Sequence, residues 1–219
     1  MKMTQRCIGI CLLATLAVSG FVRQAKEGGG RVPVSRIAEH AVCRILMAAD
    51  RTAQVVCFLA FIDGISGSLF SGTPSEATAF FTMRADTLSV QPITNGNITV
   101  ALLSAGTYNV FFNSSPHGDW NNPDSFSGGQ LVATFIRTPP LNINVGTMLN
   151  SFFSADLTSS QEFVFNAQTV DFKDLVPNGL TWLFTIGTTP LPSPPPGFVA
   201  ALPFAGSALA IGNQGHETH

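Results

Sequence analysis

The chain has 219 residues, of which 45% are hydrophobic and only 11% charged, against about a quarter charged in an ordinary soluble domain. Eighteen phenylalanines offer ample core for one domain, and such a composition is not that of a disordered chain. Eight of the eleven Lys and Arg lie at or before Arg51, and only Arg84, Arg137 and Lys173 follow, against ten carboxylates. That balance argues against nucleic acid and against electrostatic docking on an anionic membrane, since both need a basic patch.

The N-terminus has the three parts of an export signal. "MKMTQR" is basic, "CIGICLLATLAV" is apolar, and "SGFVRQA" supplies small residues for cleavage. The apolar run is shorter than the ~20 residues of a spanning helix. Residues 1–24 are therefore read as a signal peptide, with no stable membrane span after cleavage and a secreted, periplasmic or cell-surface destination. Residues 25–52 read as a linker followed by a short amphipathic helix. The linker carries "EGGGRVP", and Ile37, Val42, Ile45, Leu46 and Ala49 recur at roughly helical spacing.

An all-β domain is predicted over residues 53–212. "VVCFLAFI" is a continuous apolar strand ended by "DGISG", and "ATAFFTMRA" is a second strand. "TLSVQPIT" and "NITVALL" flank Asn95-Gly96, a strong hairpin signal, and "SAG" reads as a further tight turn before "TYNVFFN". In that last stretch Tyr108, Val110 and Phe112 share one face, and Thr107, Asn109 and Asn113 the other. "QLVATFI" follows. "EFVF" and "TVDF" form a hairpin across Asn166-Ala167, "GLTWLFTI" comes after the turn "VPNG", and "GSALAIG" closes the domain. The proline-rich "TTPLPSPPPGF" is expected to be an extended connection. Short strands at this spacing predict an antiparallel β-sandwich or a small β-barrel. Residues 213–219 read as a flexible tail.

Cys7 and Cys11 fall in the signal, which leaves Cys43 and Cys57 able to pair. The body must otherwise be held by its core. No G-x-S-x-G, H-E-x-x-H, P-loop or G-x-G-x-x-G occurs. No cofactor or metal is expected, since "HETH" at the C-terminus lacks further ligands. The scattered Asp156, Glu162, Asp171 and Asp174 read as solvent-facing strand positions.

The densest polar stretch is "NSSPHGDWNNPDSFSGGQ", residues 113–130. His117, Asp119, Trp120, Asn121 and Asp124 are its candidate ligand-binding residues. Trp120 could stack on a sugar while Asp119 and Asn121 bond hydroxyls. As a calcium loop, "DWNNPD" puts Pro123 and Asp124 in the wrong places. As an acid–base pair, His117 and Asp119 bring no nucleophile. The conformational reading is that Pro, Gly and Asx residues build a long connection whose Trp120 and Phe126 cover an open end of the β-structure. The function expected is a non-enzymatic extracytoplasmic binding or structural module, with a carbohydrate or another surface ligand as partner. The alternative is a small secreted β-barrel enzyme acting on an apolar or carbohydrate ligand.

Overall fold

The computed structural model describes residues 30–95, 98–145 and 148–212. The segment read as a signal and the C-terminal tail, with His216 and His219, lie outside the described residues.

Eight antiparallel staves close into an up-and-down barrel. In chain order the strands are β1 (Ile37–Met47), β2 (Thr52–Ile62), β3 (Phe81–Asn95), β4 (Ile98–Leu103), β5 (Gly106–Phe112), β6 (Gln130–Arg137), β7 (Leu141–Val145) and β8 (Met148–Ser160). There follow β9 (Phe163–Phe165), β10 (Gln168–Val170), one helical turn α1 (Phe172–Leu175), β11 (Leu180–Gly187) and β12 (Ala200–Ala210). β12 pairs with β1 and closes the ring. Neighbouring staves follow one another along the chain, so each stave pairs with the one before and the one after it.

Two staves are broken strands. β4 and β5 both pair antiparallel with β3, at Val90–Asn95 and Phe81–Ala85 respectively. "SAG" is therefore no hairpin turn: the chain keeps its direction through residues 104–105 and only interrupts the ladder. Likewise β6 and β7 both pair with β8, and the break between them holds Pro139 and Pro140, which cannot donate to a ladder. A hairpin joins β3 and β4 as expected, but one residue further on than Asn95-Gly96: Asn95 still pairs, with Ile98, and residues 96 and 97 lie outside the described ones. At the other predicted hairpin, Asn166 and Ala167 both take positive φ, 48° and 63°, as the mirror-image turn between β9 and β10 requires.

Two further differences from the sequence reading bear on the site. The short helix expected within 25–52 is strand β1, so the barrel begins at Ile37 and not at residue 53. Of the residues counted at helical spacing, Ile45 and Leu46 are buried on opposite faces of β1, while Ile37 and Val42 are exposed. Ala41, Cys43 and Ile45 belong to the main core, whereas Leu46 faces the opposite way into a separate outer cluster. Pairing on both sides, with β2 and β12, then outweighs the weak local helix preference. Residues 141–160, for which no strand was expected, form β7 and the 13-residue β8.

A disulfide joins Cys43 to Cys57, directly opposite each other on β1 and β2 and both buried. One end of the barrel is plugged by the β9–β10–α1 insertion. Phe163 and Phe165 pack their rings on Phe81 and Phe112, and Phe172 packs on Phe135. The other end, where β3, β4, β7 and β8 extend past this plugged half, is the end nearer the site.

Candidate functional site

The loop of residues 113–129 lies against the outside of the barrel wall and not over an open end. Alternation along β1, β2 and β12 turns Leu46, Val56 and Ala201 outward, yet all three are fully buried. They are covered by Phe126, with Trp120, Leu191 and Phe198 packed around them. The proline-rich connection thus shares the same outer cluster with the loop. The short 3-10 turn Pro123–Ser127 carries Phe126 into place. Thr82 on β3 donates its hydroxyl to the Phe126 carbonyl at 2.8 Å, and Arg84 pairs with Asp124 at 2.7 Å. Gly118 passes so close to a neighbouring loop that an added Cβ would lie 2.5 Å from the Glu76 carbonyl oxygen.

The five side chains singled out by sequence are placed as follows. Asp119 accepts from the Asn121 N–H at 2.8 Å in an Asx turn. His117 Nδ1 lies 2.9 Å from Asn113 Nδ2 and 3.0 Å from the Ser115 carbonyl. No hydrogen bond joins His117 to Asp119. Trp120 is half-buried, with the Arg44 guanidinium over its ring at 4.4 Å and the Phe126 ring at 4.8 Å. Asp124 holds Arg84. The ring surface that a sugar would stack on is therefore already shared with protein groups.

The barrel interior offers a better-built site. On the inward face Ala133, Phe135 and Arg137 follow one another along β6, Asn142 lies on β7, and Ser151 and Phe153 on β8. Phe184 and Ile186 complete the wall on β11. The side chains of Ile45, Met83, Leu88, Leu103, Phe153, Phe184 and Phe204 surround a cavity that also touches Tyr108, Arg137, Asn142 and Ser151. Measured by the room it leaves for the centre of a water-sized sphere, it holds about 50 Å³. One water needs roughly 10–15 Å³ on this measure, so the cavity has room for a few water-sized groups. Eight-stranded barrels are wide enough to be filled by side chains or to hold one small ligand; here one half is filled by the plug and the other keeps this cavity.

The polar groups in this wall are few and deeply buried. Trp182 donates from Nε1 to the Tyr108 hydroxyl at 2.8 Å, and the Tyr108 ring stacks on Phe135. Burial pushes the Tyr108 phenol well above its ordinary range, the nearby Glu39 carboxylate adds to this, and the bond from Trp182 opposes it. Arg137 is 3% exposed. Its Nη1 donates to the Ser104 carbonyl at 2.6 Å, across the break between β4 and β5. Its Nη2 lies over Gly106, where any Cβ would come within 2.8 Å. Nε and Nη2 of Arg137 and Oδ1 of Asn142 have no hydrogen-bond partner among the described residues. Burial lowers the Arg137 pKa, and the charge of Asp86 works against that.

Of these residues, Tyr108 was legible from the alternation in "TYNVFFN", whereas sequence reasoning missed Arg137, Asn142 and Ser151, although one signal was present. Arg137 is one of three basic residues beyond Arg51, and it shares the parity of Ala133 and Phe135 in "QLVATFIR", which turns a cation inward. Among the described residues no three His, Cys, Asp or Glu side chains converge as a metal site, and no helix is long and apolar enough to cross a membrane. No family model, curated protein or solved structure matches the chain.

Proposed function

We propose that this protein is an exported, non-enzymatic binding module that takes a small, mainly apolar ligand inside its barrel. The observation that carries this reading is the cavity itself, walled by Ile45, Met83, Leu103, Phe153, Phe184 and Phe204 in a barrel plugged at the opposite end. The Cys43–Cys57 disulfide supports an oxidising, extracytoplasmic setting. The closed ring supports a binding role over an edge-to-edge building block, because closure removes the unpaired strand edges through which sheets assemble.

Thermal unfolding in the presence of 1-hexanol or benzyl alcohol tests the reading, since a ligand of the native state alone raises its Tm. Wild type and Trp120→Ala should both gain stability from the alcohol. Ser151→Phe, which fills the cavity, should not. Loss of the gain in Trp120→Ala with retention in Ser151→Phe would place the ligand at the outer loop and refute the proposal.

A further inference from the structure

We infer that the ligand carries an anionic group, a carboxylate, which pairs with Arg137 while its apolar part fills the cavity. This rests on the proposed interior binding and specifies its chemistry. Three observations converge on it. Arg137 is almost wholly buried in a mainly apolar wall. Only one of its nitrogens, Nη1, has a bond, to the Ser104 carbonyl, and Nε and Nη2 have no acceptor among the described residues. The nearest carboxylate whose charge it feels, Asp86, is engaged elsewhere, accepting from the Thr107 N–H at 3.2 Å and from its hydroxyl at 2.5 Å.

Sealing the break in the β4–β5 stave needs one donor to Ser104, which a neutral side chain could supply. A guanidinium costs far more to bury, and leaving a buried charge uncompensated is strongly unfavourable. A planar fork with two free N–H directions matches a carboxylate. Gly106 leaves room for the guanidinium to lie in this position, because a Cβ there would come within 2.8 Å of Nη2. Asn142, paired with Ser151 across β7 and β8, brings further hydrogen-bonding atoms to the same wall. The limited space favours a short acid over a long-chain one.

Calorimetric titration of the intact protein with hexanoate and benzoate, against 1-hexanol and benzyl alcohol, reads this out. The expected result is at least tenfold tighter binding of each acid than of its alcohol. That preference should vanish in Arg137→Gln, with alcohol binding retained. A measurement on the wild type guards against a misfolded variant. At about pH 4, where carboxylic acids begin to protonate, the preference should shrink towards parity. Equal affinities for acid and alcohol at neutral pH overturn the anion claim and leave interior binding standing. Failure of both series to bind overturns both.

Discussion

Glu39 is the residue whose burial has the plainest consequence. It faces inward from β1, is 1% exposed, and neither carboxylate oxygen has a hydrogen-bond partner among the described residues. It sits among Val32, Ile62, Phe172, Leu175 and Val176, under the plug. Burial raises its pKa from the ordinary 4.5 to about 8. The folded state therefore binds a proton that the unfolded chain releases above pH 4.5. This contribution to stability is full below pH 4.5 and is lost as pH rises through about 8. At pH 7 keeping the carboxyl neutral costs about 3 kcal/mol, at 1.36 kcal/mol per pH unit. Glu39→Gln should accordingly flatten the stability profile between pH 5 and 8, as measured by urea unfolding across that range. An unchanged slope would show that the carboxyl is not buried. Asp171 works in the opposite direction. Burial pushes its pKa up, but bonds from Lys173, Ser160 and the Lys173 backbone outweigh that and hold it below the ordinary range. Its share of stability is present at neutral pH and is lost as acid protonates it. Of the four later carboxylates read as solvent-facing, Asp171 is the one that is buried, as the N-cap of α1. "TVDF" does not reveal this, because the insertion that covers it is far from regular strand geometry.

At the scale of elements, the outer loop and the disulfide are the two parts that hold the β1–β2 wall. Phe126 is fully buried against Leu46, Val56 and Ala201. Phe126→Ala should destabilise the fold by about 3–5 kcal/mol, whereas Asp124→Ala should cost less than about 1 kcal/mol, because that ion pair is exposed. Denaturant titration of the two variants would expose the contrast, and comparable losses would contradict the view that the loop holds this wall through Phe126. Removing the disulfide as Cys43→Ala/Cys57→Ala should cost about 3 kcal/mol, the entropy of a loop of roughly 15 residues. The strands that sequence made legible were those with a clean period of two and turn residues at their ends, such as "TYNVFFN" and "GLTWLFTI". β1 was hidden because adjacent residues are buried on opposite faces, Ile45 inward and Leu46 outward, which breaks the period of two. β8 was hidden because its serines fall on both faces, Ser151 among the inward residues and Ser154 outward, while Phe152 is exposed. The long polar loop drew the eye for its reactive side chains, but its packing is what the fold uses.

For the molecule as a whole, alternation and turn signals carried the all-β reading, and strand pairing decides for the barrel. That choice is non-local. It depends on β12 meeting β1 across more than 150 residues of chain, a partnership no local pattern encodes. The candidate site is non-local for the same reason, since its cavity is assembled from β1 to β8, β11 and β12. The central claim is that ligand enters the barrel and not the outer loop. Met83 lines the cavity, and Trp120 is the indole of the loop, distinguishable from Trp182, the other of two. The most direct measurement is an NMR titration with hexanoate of protein carrying 13C methionine methyls and 15N indoles. The account predicts that the Met83 methyl shifts in a saturable way while the Trp120 indole N–H stays in place. A saturable shift of Trp120 with Met83 unmoved would contradict it.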